Sequence, residues 1–399
     1  MKAGWQTSTL GDVLAVIRNG VNCKQDKSGN GDRISRIESI SYATFDLDKV
    51  GYAELSERDK ERNRLQPGDI LFSHINSAVH VGKTAVFDCD EPVYHGVNLL
   101  LMRPKEVVTS AYLDHALKYL FQSGYWRGVC KQSVNQASVN QQDISRVEIH
   151  YPKSLVEQQR IVGLLDEAFE GLATAKANAE KNLQNARALF ESHLQSVFTQ
   201  RGPGWVDRSL VSLSAHFFDS AHRTPKYQEE GIPALRPRDV VNGQLNFADA
   251  ACVSEEEFEV QSKRYKPAPG DIVYSRELSY GWAALLPEEP RVCLSQGMCV
   301  FRPNREVNSA FLLYVLNGPA GREQATRVAV GAAHPHINLG DIKSYSIPLP
   351  SFDEQKQIAH KFDALATETQ RLARLYERKH AALEALKKSL LHQAFNGEL

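Results

Sequence analysis

Pro67-Gly68-Asp69-Ile70-Leu71-Phe72-Ser73 returns 202 residues later as Pro269-Gly270-Asp271-Ile272-Val273-Tyr274-Ser275. Each copy is a Pro-Gly turn that launches a short run of β-type residues. Other matches surround this pair in the same order. Gly4-Trp5 recurs as Gly204-Trp205, and Arg103-Pro104 as Arg302-Pro303. Ser110-Ala111-Tyr112-Leu113 matches Ser309-Ala310-Phe311-Leu312. Asn140, Asp143 and Ile144 match Asn338, Asp341 and Ile342, and Glu157-Gln158 matches Glu354-Gln355. The offsets drift between 197 and 202, as small loop insertions and deletions would make them. The chain is therefore two copies of one plan.

Each copy opens with roughly 150 residues of turn-rich, mostly strand-type sequence and closes with a long helical segment free of proline. The spacing predicts one shorter helix per copy, over 110–122 and 309–317. The long helices start at capping boxes, Ser154-Leu155-Val156-Glu157 and Ser351-Phe352-Asp353-Glu354. The breaker Arg201-Gly202-Pro203-Gly204 ends the first. A 4-3 seam runs through the second helix: Ile358, Phe362, Leu365, Thr369, Leu372, Tyr376, Lys379, Leu383, Leu386, Leu390. The first helix gives the Ala-rich counterpart Ile161, Leu165, Ala168, Leu172, Ala175, Ala179, Asn182, Ala186, Leu189, His193. Small side chains opposite large ones predict an antiparallel coiled-coil pair, about 65 Å long at ~1.5 Å per residue. The expected class is α+β with an internal pseudo-two-fold repeat. Its segments are a recognition-type domain over 1–153, a helix over 154–200, a second domain over 201–350 and a helix over 351–399.

Composition removes several classes. The chain has 399 residues, too many for one core. With 47 Lys+Arg against 48 Asp+Glu the net charge is −1, which excludes a polyanion-coating protein but not a local basic patch. No run is apolar enough to span a membrane, and the start MKAGWQTSTLGDV lacks the apolar core of a signal peptide. The six cysteines form no CxxC pair, so neither structural zinc nor a disulfide framework is expected, and a reducing cytoplasm fits best.

No catalytic constellation emerges. Gly82-Lys83-Thr84 ends like a phosphate-binding loop, but Ser77 stands where its first glycine belongs. No GxSxG, HExxH or base-flipping methyltransferase motif occurs. No metal site is expected, because His334-Pro335-His336 reads as a hydrogen-bonding loop. The inventory instead suits base reading, where Arg and Lys pair with guanine edges and Asn and Gln with adenine. In the first copy the candidates are Lys24, Arg33, Arg36, His74, Asn76, Lys83, Lys131, Gln132 and Asn135. In the second they are Arg223, Lys226, Arg236, Arg238, Arg276, Tyr280, Trp282, Arg327, His334, His336 and Asn338. Turns and helices agree between copies while these stretches diverge, except for Arg36 and Arg236, which are equivalent.

The Trp5 and Trp205 starts, the two Pro-Gly-Asp-Ile turns and Gly231-Ile232-Pro233 before Arg236 and Asp239 carry a resemblance. So do Pro348-Leu349-Pro350 before Glu354-Gln355 and the terminal Ala394-Phe395-Asn396-Gly397-Glu398-Leu399. Over essentially its whole length the chain resembles the DNA-specificity subunit of a type I restriction-modification system. The resemblance implies two target-recognition domains, each reading half of a bipartite double-stranded DNA target, with the helices as spacer. It implies no catalytic site and no cofactor in this chain. Its implied partners are two modification subunits, which methylate adenine with S-adenosylmethionine, and motor-nuclease restriction subunits. The recognition subunit of an enzyme that cuts on both sides of its site fits the same residues. The first copy departs from the pattern where Asp32-Arg33-Ile34 replaces the Ile-Pro-Ala stretch and Tyr151-Pro152-Lys153 replaces Pro348-Leu349-Pro350.

Overall fold

The computed structural model of the protein describes residues 3–27, 29–133 and 136–399. It forms two compact units, Met1–Ala179 with Glu377–Leu399, and Glu180–Tyr376. The boundaries fall inside both long helices rather than at the four segments read from sequence.

Each unit is built on a four-stranded antiparallel sheet. In the first, the order is Leu14–Asn19, Leu100–Pro104, Ile70–Phe72 and Thr84–Val86. In the second it is Ser214–Asp219, Met298–Pro303, Ile272–Ser275 and Ala283–Leu285. The topology is the same, and so is the pairing of a unit's opening and closing strands: Trp5–Thr9 with Glu148–Pro152, and Val206–Ser209 with Ser346–Leu349. Both sheet faces are buried, with the period of two that a strand imposes. Ile70, Phe72, Leu100 and Met102 pack against the helix Ser110–Gln122 and the long helices, while Leu71, Leu99 and Leu101 form a separate core on the other face. Ile272, Tyr274 and Phe301 repeat the first arrangement, and Val273, Met298 and Val300 the second. The helices expected over 110–122 and 309–317 occur with those bounds. Thr109 and Asn308 cap them by accepting from the Tyr112 and Phe311 amides.

The repeated residues are the bolts of this frame. Gly68 and Gly270 take φ of +92° and +84°, the left-handed geometry that the Pro-Gly turns need. Asp69 accepts from the Gln66 amide at 2.8 Å and from the Arg103 guanidinium at 2.6 and 2.8 Å. Asp271 accepts from the Ala268 amide at 2.8 Å, Arg302 at 2.6 Å and the Tyr265 hydroxyl at 2.8 Å. Two separate sequence repeats, Pro-Gly-Asp-Ile and Arg-Pro, are thus the two halves of one ion pair. Gln158 donates to the Pro152 and Val107 carbonyls and accepts from the Thr109 amide. Gln355 does the same with Pro350, Glu306 and Asn308. Each glutamine, almost wholly buried, pins a long helix to the strand before it and to the start of the shorter helix.

The long helices run Leu155–Gln200 and Phe352–Phe395. Ser154 and Ser351 accept from the Glu157 and Glu354 amides at 3.4 and 3.3 Å, as the capping boxes require. Pairing is antiparallel within each unit. Ile161 and Leu165 share a core with Leu391, Ala394 and Phe395, and Leu194 and Phe198 share one with Ala359 and Phe362. Fifteen of the twenty expected seam positions are buried or half-buried, and the polar Asn182 and Lys379 are exposed. Leu189, Leu365 and Leu386 are exposed, and Phe190, Ala366 and Lys387 turn inward instead. At about 3.6 residues per turn a strict 3.5-residue reading slips, and packing against each unit decides which neighbour faces in. No helix among the described residues is long and apolar enough to cross a membrane.

Candidate nucleic-acid interface

In the first unit, the strand Leu14–Asn19 ends beside the extension of the strand Ile70–Phe72. That extension joins a three-stranded sheet in which Ile75–Asn76 pairs with Gln136–Ser138, and the latter with Lys131–Ser133. Asn19, His74, Asn140 and Gln141 line an open depression of about 540 Å³ there. The amide of Asn19 faces His74 Nε2 at 3.1 Å and donates to the Val97 carbonyl at 3.0 Å, while Gln141 donates to Asn19 Oδ1 at 2.7 Å. Burial pushes the His74 pKa down to about 4, so the ring is neutral. Accepting at Nε2, it carries its proton on Nδ1. That nitrogen is buried and has no hydrogen-bond partner, a donor left over at the rim of a polar depression.

The second unit places Arg276 and Asp219 at the positions of His74 and Asn19. Arg276 forms a close ion pair with Asp219, and its Nε donates to the Ile337 carbonyl at 3.1 Å. His222 stands 3.3 Å from the other Asp219 oxygen. The same backbone bond closes both nodes: Val139 N–H to His74 O and Ile337 N–H to Arg276 O, each 2.9 Å. Arg276 is a strut holding the loop that carries His334, His336 and Asn338. Beyond Asp219, His222 and Arg223 line a cavity of about 300 Å³ with Lys263 and Arg264.

The candidate readers divide by what holds them. Lys24, Lys131, Gln132, Lys226, Arg327 and His334 are exposed. Lys24, Lys131, Lys226 and Arg327 make no ion pair among the described residues, and Arg238, also exposed, stands 3.9 Å from Asp239. Others are already engaged. Arg33 pairs with Glu91, and Arg36 with Glu38. Arg223 grips Glu257 at 2.7 and 2.9 Å. Arg236 forks onto Asp239 at 2.9 and 3.1 Å and donates to the Asp249 carbonyl. Arg36 and Arg236 are thus equivalent in position but hold different partners, an exposed Glu38 and a buried Asp239. Asn76 is satisfied by Ser73 and Ser77, and Asn338, just before the helix Leu339–Lys343, donates to Asp341 at 3.2 Å. His336 is tied to Val330 through its backbone. Arg322 donates to the Tyr280 carbonyl and lies 4.1 Å over the Trp282 ring. Lys83 donates to the Ser41 carbonyl, away from His74, and Gly82 is glycine because any Cβ would meet Trp126 at 2.1 Å. Asn135 lies outside the described residues. Sequence reading missed Asn19, Gln141, Lys263 and Arg264. Asn19 and Asp219 end equivalent strands, but the sequences LAVIRN and SAHFFD share only one residue, so nothing in the sequence singled Asn19 out.

Among the described residues no cluster of His, Cys, Asp or Glu could hold a metal ion. Family comparison matches residues 2–183 and 219–377 to the type I restriction modification DNA specificity domain. A putative type I restriction enzyme MjaX specificity subunit of Methanocaldococcus jannaschii is 30% identical over 99% of this chain and 93% of its own. The StySPI specificity subunit of Salmonella potsdam is 24% identical over 99% of this chain and 89% of its own. A chain solved in work on the assembly and conformational transition of the type I R-M system shares the fold at TM-score 0.78 with 19% identity, covering 100% of this chain and 99% of that one. The HsdS subunit from Thermoanaerobacter tengcongensis does so at 0.64, again with 19% identity, covering 100% and 98%. With the family signature present in both halves and a full-length relative at 30% identity, the chain belongs to the type I restriction-modification DNA specificity subunits.

Proposed function

We propose that this chain reads a bipartite, asymmetric DNA target in the cytoplasm, each unit taking one half-site, and that it performs no chemistry itself. One observation carries the reading: the frame repeats its main sheet, turns and helix pins, while the strand-end node changes from a neutral Asn19–His74–Gln141 network to an ionic Asp219–Arg276 one. Equivalent frames present two readers to duplex DNA, and different chemistry at their edges selects different bases. Exposed Lys24, Lys131, Gln132, Lys226, Arg238, Arg327 and His334, with the depression around His74, are the contacts; the engaged arginines hold the loops in register. Two modification subunits would supply adenine methylation from their own S-adenosylmethionine, and motor-nuclease subunits the cleavage.

The test is a genome-wide map of methylated adenines in cells carrying this chain with its modification subunits. One heptad is inserted in both long helices, after Ala179 and after Tyr376. At ~1.5 Å per residue this adds about 10 Å, so the gap between half-sites should lengthen by about three base pairs at ~3.4 Å each. An unchanged gap would remove the helices as the spacer.

A further inference from the structure

A cavity of about 270 Å³ lies in the first unit, between the turn at Gly82-Lys83-Thr84, the helix Ser110–Gln122 and the first unit's portions of the long helices. It is separate from the depression at His74. Lys83, Lys118 and Lys387 line it, with His115, Phe121 and Phe169. Lys83 gives one donor to the Ser41 carbonyl at 3.0 Å, and Lys118 pairs with Asp114 at 2.7 Å. Lys387 has only the Phe169 ring, 5.0 Å from its centre, and no ion pair among the described residues. An ammonium carries three donors, so all three lysines have some to spare. His115 is 8% exposed and bonds Asp166 through Nε2 at 2.9 Å, while its Nδ1 is buried without a partner. A buried polar atom with nothing to bond is rare in a folded protein and asks for an explanation.

The second copy shows that the frame does not need these groups. At the positions of Lys83, Lys118, His115 and Lys387 it carries Trp282, Asn317, Tyr314 and Phe190. There Asn317 bonds the Ala283 amide and carbonyl, both at 2.9 Å. Tyr314 donates to Asp363 at 2.7 Å, and Phe190 packs on Phe362. The Asn317 amide and the Tyr314 hydroxyl thus find protein partners, and the three cations are gone.

We infer that the cavity of the first unit binds a small phosphate-bearing anion. Lys83, Lys118 and Lys387 supply the charge, and His115 Nδ1, left as an acceptor while Nε2–H bonds Asp166, would take the hydrogen of a protonated phosphate oxygen. Phe121 and Phe169 offer apolar faces to whatever carries the phosphate.

Calorimetric titration of the full chain at low salt tests this, with inorganic phosphate and AMP as separate probes. Saturable binding is expected for at least one. AMP binding more tightly than phosphate would identify a nucleotide as the fitting form; equal binding would identify phosphate alone. Lys387→Met keeps the stem over Phe169 and should weaken binding about fivefold, the scale of one lost exposed charge contact. Lys118→Met should do the same, and Lys387→Phe, the second copy's residue, should abolish binding. Arg305→Ala, at an exposed position in the second unit, should leave it unchanged. Since Lys387 makes no ion pair, its variants decide the matter even if Lys118→Met fails to fold. The inference is overturned if neither probe saturates at millimolar concentration, or if binding ignores the Lys387 variants. It is also overturned if Lys387→Met weakens only duplex-DNA binding, which would give these lysines to the DNA backbone. That result would leave the half-site reading standing.

Discussion

At the edge of its sheet the first unit joins strand to loop with neutral groups, and the second joins the same elements with charges. Asn19, His74 and Gln141 hold one node, and Arg276, Asp219 and the Ile337 carbonyl hold the other. The backbone bond beneath is identical, at 2.9 Å in both. Below the node the ion pair persists, Asp69 with Arg103 and Asp271 with Arg302, each carboxylate buried, with the Tyr265 hydroxyl added at Asp271. The difference teaches where the repeat is free to vary. Residues that close a turn or pin a helix keep their chemistry, because each satisfies several buried groups at once. Residues at the sheet edge need only preserve one backbone contact.

The comparison breaks most visibly at the shared bolts. Asp69→Ala and Asp271→Ala should each cost about 2–4 kcal/mol, since each strands an arginine and an early-turn amide. Chemical denaturation should show both losses, the Asp271 one at least as large because the Tyr265 hydroxyl is stranded too; a clearly larger loss at Asp69 would mean the two frames are not equivalent.

Acid should separate the units next. Burial pushes the pKa values of both His74 and His95 down to about 4 from 6.5. The unfolded chain therefore binds these protons first. The stability they contribute is complete above pH 6.5 and is lost as pH falls toward 4, by roughly 1–3 kcal/mol each. Arg276 and Leu294, neither of which gains a proton in this range, occupy the matching positions of the second unit. Hydrogen exchange at pH 5 against pH 7.5 should show the first unit loosening more; equal loosening would refute this account.

Arg276→Ala should cost about 1–3 kcal/mol through its charge-assisted bonds, with exchange rising across residues 334–338. As a strut, it should weaken the second half-site without relaxing its base preference. A relaxed preference would make Arg276 a direct reader. Smallest of all, Lys131→Ala and Arg327→Ala should each lower the salt slope of DNA binding by about one, uniformly across sequences. Unchanged slopes would remove them from the interface.

The legible parts of the sequence were those set by near neighbours. The Pro-Gly turns, both serine caps and the helices over 110–122 and 309–317 depend on residues within a turn or two, and they fold as read. The seam was legible in part: Phe362 and Ile161 are buried, but Leu189 and Leu386 yield to Phe190 and Lys387 because the packing neighbours come from distant chain. The site was least legible. Sequence displays a charge but not its partner, and Arg276 meets Asp219 across 57 residues while Gln141 reaches Asn19 across 122. Free arginines and committed ones look alike until those partners are placed.

The first unit is discontinuous, residues 1–179 completed by 377–399, whereas the second is the unbroken stretch 180–376. On the ribosome this inverts the order of completion. Every core side chain of the second unit has been made before Leu391, Ala394 and Phe395 exist to cover Ile161, Leu165 and Tyr112. The half that is translated first is the half that finishes last, and until then its open flank is the newborn chain's chief exposed apolar surface.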